Sequence, residues 1–440
     1  MSNENKRIYL VRSTNEDNNA FVGVRIRHDS IEFHYPESYD LSGVENASTI
    51  NDLKAFRKDL VDILYTISLA KTRTSSIQKT ENGVATSKNF SFLSYLWIIR
   101  DFMLNGVYRN TEKLYRANAK GKVNWKKTLQ SQPIISNGNV IYNNLVVTIN
   151  NDCDTVITDA HRLCIYDSIL KAGWLFGISE KAFCMPAPTA NLLKKYINVI
   201  RTEIKKTFDD AKKLRLSHML RVLSGVDDSK QITEIVYGVD KYEYIYERMV
   251  DAVFGNVVDI TKYNPNASWF IMQGNDSYAV KDASSLRPDT VRIEPDPRTY
   301  LFDTTTKTAY ILDAKFYRYG ITGKLNDLPE TASVQKQITY AMHIRTNISQ
   351  VDKVKEVHNA FVLPYNKNNN LFGFSNNLEY IGFSRAHWVK DKEREVVHAF
   401  LIDTKHLISS WSQGNCKEDI AKLISDISEY VERHESWKSI

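Results

Sequence analysis

Two acidic side chains and a lysine, set among apolar strand-like residues, stand out between Arg287 and Tyr340. Pro288-Asp289 opens the run, Tyr310-Ile311-Leu312-Asp313-Ala314-Lys315-Phe316-Tyr317 follows, and Gln335-Lys336-Gln337-Ile338-Thr339-Tyr340 closes it. Carboxylates and an ammonium on neighbouring strands suit a hydrolase that holds a hard divalent metal and activates water beside a phosphodiester. The tripeptide alone carries little, because acid-x-Lys also occurs at Asp52/Lys54, Glu203/Lys205, Asp210/Lys212, Asp228/Lys230 and Asp403/Lys405. Context separates these sites. Asp210-Ala211-Lys212 lies in a charged stretch whose apolar residues recur at helical spacing, which turns its acid and base towards solvent.

The elements that must position Asp313 and Lys315 are legible around them. Residues 308–317 read as a strand with Tyr310, Leu312, Ala314 and Phe316 on one face. Ile311, Asp313, Lys315 and Tyr317 fall on the other, so acid and lysine point the same way, about 7 Å apart along the strand. Thr299–Phe302 and Thr308–Leu312 flank Asp303-Thr304-Thr305-Thr306-Lys307, a hairpin pattern with β-turn chemistry. Asp289 opens an earlier short strand, Thr290-Val291-Arg292-Ile293, from which it is expected to come beside Asp313.

At these residues the chain resembles the PD-(D/E)xK nuclease superfamily, with Asp289 matching the first motif acid and Asp313 and Lys315 the second acid and the lysine. The resemblance implies a further acid on a helix before the core strands, and Tyr246-Glu247-Arg248-Met249-Val250 looks like that element. Tyr242, Tyr246, Met249, Val250 and Val253 make one apolar stripe with Glu247 at its edge, and Glu243 one turn away stays open as a substitute. It also implies a catalytic site in which Asp289, Asp313, the Ala314 carbonyl and Glu247 bind Mg²⁺ and Lys315 orients the attacking water. Ser333–Ile344 reads as a helix whose Gln337 resembles the glutamine these nucleases pack against the site; an ordinary helix-surface glutamine is the even alternative.

A narrower resemblance covers most of the chain. Ala20-Phe21-Val22-Gly23-Val24, Ile31–Pro36, Gly121–Thr128 and Phe361-Val362-Leu363-Pro364 look like the LlaJI family of restriction endonucleases, itself similar to the nuclease subunit of McrBC-type systems. Residues 150–235 add no shared motif. The likeness implies a bacterial antiviral restriction nuclease that cuts double-stranded DNA together with a separate AAA+ nucleotide-hydrolysing motor, a GTPase or ATPase.

Composition is compatible with that expectation. The chain has 440 residues and carries 58 Lys+Arg against 52 Asp+Glu, a net charge of +6 that is only a mild bias. Cys153, Cys164, Cys184 and Cys416 show neither CxxC spacing nor a disulfide framework, so a reducing cytoplasm is expected. The polar start Met1–Arg7 is no signal peptide, and Phe90–Met103, the most apolar stretch, is too short and too interrupted to span a membrane and reads as a core helix. No Gly-x-x-x-x-Gly-Lys-Ser/Thr occurs, so a nucleotide-driven step is assigned to a partner. Gly373-Phe374-Ser375 and Gly382-Phe383-Ser384 lack the closing glycine of a nucleophile elbow, and no His-Glu-x-x-His is present.

The fold expected is mixed α/β: an N-terminal α+β region, then a restriction-endonuclease-like domain with a mixed central sheet flanked by helices. Residues 1–75 form a strand-rich segment with a helix, residues 76–230 a mostly helical region with a β-hairpin that contacts DNA or the motor, and residues 231–440 the nuclease domain. Within these, strands over 7–36, a helix over Asn51–Ala70, strand-like pieces at Lys122–Leu129 and Val140–Ile149 joined around Asn137-Gly138, helices over 159–222, a passage at Gly225–Ser229, strands at Asn359–Pro364 and Leu378–Phe383 and a helix at Lys417–Arg433 are expected. The basic surface of 191–223 reads first as a solvated helix face and second as a phosphate track. Trp125, among Lys120, Lys122, Lys126 and Lys127, reads first as packed into a strand face and second as a base-stacking platform. The rival reading is a non-catalytic DNA-binding or motor-activating subunit, in which Asp313 and Lys315 are an ion pair at a solvent edge worth about 0–1 kcal/mol.

Overall fold

The computed structural model describes residues 7–14, 20–27, 29–41, 56–73, 92–137, 139–178, 185–228, 235–257, 260, 263, 265, 269–273, 277–281, 299–348, 353–387, 396–414 and 417–433. The chain begins with β1 (Arg7–Ser13), β2 (Val22–Ile26) and β3 (Ser30–Pro36), whose apolar residues Val22, Val24, Ile31 and Phe33 are buried. Helix α1 (Arg57–Arg73) lays Leu60, Leu64 and Ile67 against them at helical spacing, and α2 (Phe92–Asn105) is the core helix its composition predicts, although Met103 and Leu104 at its end are exposed.

A small β unit follows: β4 (Asn110–Ala117), β5 (Lys122–Val123), α3 (Trp125–Thr128), β6 (Ile134–Ser136), β7 (Asn139–Ile141) and β8 (Val146–Cys153). Here three expectations are corrected. The strand expected over Lys122–Leu129 stops at Val123, because the Asn124 side chain accepts the Lys127 N–H at 3.1 Å and caps a helical turn instead. Trp125, on that turn, is 60% exposed and does not pack into a strand face. Likewise Val140–Ile149 is two strands rather than one, and Asn137, at φ 49°, turns the chain between β6 and β7.

Helices α4 (Val156–Phe176), α5 (Ala190–Lys206) and α6 (Asp210–Asp228) come next. The passage expected at Gly225 does not open there: α6 continues through Gly225, which is buried, to Asp228. Part of the basic face is neutralised internally, since Arg215 donates two hydrogen bonds to Asp101 at 2.7 and 2.8 Å and Lys212 pairs with Glu203 at 2.6 Å. Strand β9 (Ile235–Val239) then returns to the first sheet, giving the order β1-β3-β2-β9. Gly23 faces Gly238 across β2 and β9, and neither has room for a side chain: a Cβ on Gly23 would lie 2.2 Å from the Tyr237 carbonyl oxygen, and one on Gly238 2.3 Å from the Phe21 ring.

The remainder holds α7 (Tyr242–Phe254), the hairpin β10 (Trp269–Gln273) and β11 (Ser277–Lys281), the hairpin β12 (Thr299–Asp303) and β13 (Thr308–Ala314), α8 (Tyr319–Thr322), α9 (Thr331–His343), β14 (Glu356–Tyr365), β15 (Leu378–Arg385), β16 (Val396–Asp403), α10 (Thr404–Gln413) and α11 (Lys417–Arg433). The second large sheet runs β12-β13-β14-β16-β15, with β13, β14 and β16 parallel and the two edge strands antiparallel. Every residue of β13 is buried, as an interior strand covered on both faces must be. Tyr310, Leu312 and Ala314 join the core that contains α7, while Ala309 and Ile311 join a second cluster with Tyr340 and Ala341 of α9. No helix among the described residues is long and apolar enough to cross a membrane.

Candidate active site

The site is built at the C-terminal end of β13. Asp313 occupies the last position but one of the strand and is 4% exposed, and Lys315 stands just beyond it. The Lys315 backbone N–H still donates to the Val362 carbonyl of β14 at 2.9 Å, so the lysine starts from an ordered main chain. Its ammonium lies 3.2 Å from Asp313 Oδ2. Acid and lysine therefore do leave the strand on the same side, as the alternation predicts. The solvent-edge ion pair of the rival reading is not what is found: β13 lies between β12 and β14, and Asp313 is out of water. A buried pair of this kind is a poor way to gain stability, because desolvation offsets most of its attraction.

Helix α7 brings in Glu247. The predicted stripe is buried in full, from Tyr242 and Tyr246 through Met249 and Val250 to Val253, and Tyr246 donates its hydroxyl to the Val362 carbonyl at 3.2 Å. Phe316 packs on the same helix, with ring centroids 5.7 Å from Tyr242 and 5.2 Å from Tyr246. These contacts fix the turn of helix that carries Glu247 against the end of β13. Burial pushes the Glu247 carboxyl up to about 7; the Lys315 charge pulls it down, and the Asp313 and Glu243 carboxylates push it further up. Glu247 thus shares one electrostatic environment with Asp313 and Lys315, and it is held near its midpoint at neutral pH.

Gln337 is fully buried, which removes the surface alternative, and its Nε2 donates to the Ile311 carbonyl at 2.9 Å. It ties α9 to the strand two residues before Asp313. The duplicate tripeptide behaves otherwise: Asp210 opens α6, and Lys212, on that helix, donates to Glu203 of α5. Pro288-Asp289 and Thr290–Ile293 lie outside the described residues.

Oxygen donors of the kind a hard divalent cation takes are present in Asp313, Glu247 and the Ala314 main chain, and a carboxyl raised by burial, with further carboxylates near it, is one whose ionised form a cation would favour. Among the described residues no three His, Cys, Asp or Glu side chains gather as a ready-made metal site.

A feature that sequence reasoning missed lies on the same edge. The turn after β3 reaches the segments that follow all three parallel strands: Glu37 takes two hydrogen bonds from Arg318 at 2.8 and 2.9 Å, Asp40 accepts from Asn368 at 2.6 Å, and Ser38 accepts from Thr404 at 2.8 Å. Its only local signal is a cluster of polar residues after an apolar strand.

Compared with known proteins, the model of the LlaJI restriction endonuclease family matches residues 21–405. No curated protein matches. Among solved structures, a chain from the refined half-complex of the tetradecameric assembly of Thermococcus gammatolerans McrB AAA+ hexamers with bound McrC is similar at 11% identity and a TM-score of 0.33, over 91% of this chain and 83% of that one, a likeness too slight to argue from.

Proposed function

The chain belongs to the LlaJI restriction endonuclease family, and from that premise we propose that it is a Mg²⁺-dependent endonuclease that hydrolyses phosphodiester bonds of double-stranded DNA with a separate AAA+ nucleotide-hydrolysing partner. The observation that carries this reading is the buried Asp313 with Lys315 at 3.2 Å, at the end of an interior parallel strand beside a Glu247 carboxyl raised to about 7.

Asp313, Glu247, the Ala314 carbonyl and, from outside the described residues, Asp289 would hold the ion. When bound, Mg²⁺ supplies charge stabilisation at the scissile phosphate and acidifies a water. Lys315 would orient the attacking water through its ammonium and favour its hydroxide form, with Asp313 keeping the ammonium in place. Gln337, bonded to the Ile311 carbonyl, positions the strand rather than touching the reacting atoms.

The motor partner is inferred from the family likeness together with the lack of any phosphate-cradling Gly-x-x-x-x-Gly-Lys-Ser/Thr in this chain. Residues 1–230 are expected to carry the motor contacts. Cleavage of a plasmid library with Mg²⁺, with and without the products of neighbouring genes and nucleotide, tests both parts. Robust sequence-specific cutting by the chain alone, indifferent to nucleotide, would remove the motor; no cutting under any combination would remove the nuclease.

A further inference from the structure

The loop between β14 and β15, residues 366–377, enters the account above only through the bond from Asn368 to Asp40, yet it rises from the same edge as the candidate site. Asp313 and Ala314 pair with Phe361 and Val362, and β14 runs on past them to Tyr365 before the loop begins. The segment that follows Lys315 is attached to it, through the bridge between Gly320 and Tyr365 and the Tyr319 and Phe372 rings, whose centroids are 5.4 Å apart.

The loop's base is rigid. Asn366 Oδ1 accepts the N–H groups of Asn368 and Asn369 at 3.0 and 3.1 Å. Asn370 accepts those of Phe372 and Phe374 at 3.1 Å each and donates to the Lys367 and Phe374 carbonyls at 2.8 and 2.9 Å. Tyr365 donates to the Asn376 carbonyl, and Lys367 to Asn377 at 2.7 Å. What this base presents is open to solvent: Leu371 is 73% exposed, and the carboxamide of exposed Asn369 makes no side-chain hydrogen bond among the described residues. Leu371 stands over Gly323, where an added Cβ would meet its Cδ1 at 3.5 Å, and next along that segment come exposed Lys324 and Leu325, the latter 75% exposed.

Leu371 and Leu325 thus offer apolar surface that a partner could cover, each such burial being favourable. Fixing one of them on a braced tip, with an amide and an ammonium beside it, matches the surface of duplex DNA. An apolar tip can wedge against a base step, a carboxamide reads base edges, and a lysine meets phosphate. Resting on the nuclease reading, we propose that the 366–377 loop enters a groove of the DNA duplex, with Leu371 against a base step and Asn369 at a base edge, and so helps to choose where the duplex is cut.

The test is binding without cleavage: full-length chain carrying Leu371→Ser or Asn369→Ala, a fluorescein-labelled duplex of mixed sequence, anisotropy in EDTA, and thermal unfolding of each variant. Each substitution is expected to weaken binding about tenfold, the scale of one good base contact, with an unchanged unfolding midpoint. Leu371→Met should retain affinity. Parental affinity in both loop variants overturns the proposal, as does a parent that binds no duplex, or a Leu371→Ser chain that loses the motor while keeping DNA. A parent that binds through the loop but never cuts with Mg²⁺, even with the products of neighbouring genes and nucleotide present, refutes the nuclease reading and leaves the loop standing.

Discussion

Lys315→Ala is expected to slow DNA cleavage by about two to four orders of magnitude, the scale of losing a positioned proton-transfer group, while folding and DNA binding persist. The side chain is on hand for that role: its ammonium is 3.2 Å from Asp313 and only partly exposed, just beyond the end of a fully buried strand. The chain contains its own control. Lys212 shares the sequence Asp-Ala-Lys but sits on α6 in a 2.6 Å pair with Glu203, so Lys212→Ala should at most weaken binding in a salt-dependent way. Single-turnover cleavage at limiting Mg²⁺ separates the two. Should both variants cleave like the parent, Asp313 and Lys315 are structural and the non-catalytic reading takes their place.

Glu247→Gln is expected to raise the Mg²⁺ requirement and to remove its pH dependence. Burial lifts the Glu247 carboxyl from its ordinary 4.5 to about 7, so in the metal-free protein the neutral form predominates below about pH 7. Stability from that neutral form is complete below the unfolded value and is lost as pH rises through about 7. A cation binds the carboxylate instead, which requires the proton to leave. Apparent Mg²⁺ affinity should therefore climb about tenfold per pH unit below 7 and level off above it, one proton being released per ion. Calorimetric metal titrations across that range would show the slope in the parent and its absence in Glu247→Gln. If instead Glu243→Gln produces the loss and Glu247→Gln is silent, the neighbouring turn of α7 carries the ligand.

The parts of the site that local pattern governs were legible. Alternation in 308–317 placed Asp313 with Lys315, and the stripe from Tyr242 to Val253 placed Glu247, because period two and period 3.6 are read over a few residues. What pattern did not give was set by partners far away in sequence. Val396–Asp403, a buried strand, was not picked out, and only its pairing with β14 and β15 puts it inside the sheet. Gln337 has no local mark of being buried, since the carbonyl it meets belongs to Ile311. Trp125 fails for the opposite reason: a single Asn124 cap outweighs the strand pattern and turns the indole to solvent. The raised Glu247 carboxyl is a property of the assembled charges and of burial, neither of which a sequence displays.

The turn at Glu37–Asp40 bears on how the molecule comes apart. Its three side-chain contacts, to Arg318, Asn368 and Thr404, brace the tails of β13, β14 and β16 from a strand near the start of the chain, while β9 carries the chain back into that first sheet before the second begins. Opening either sheet at this end breaks these bonds, so the two should melt in one cooperative transition, and amide protons of β3 and β14 should exchange through the same global opening. A chain begun after residue 40 would lose those carboxylates together with β1, β2 and β3, leaving β9 without the strands it pairs with, whereas two separate transitions in the calorimetric trace of the intact protein would show the sheets to be independent.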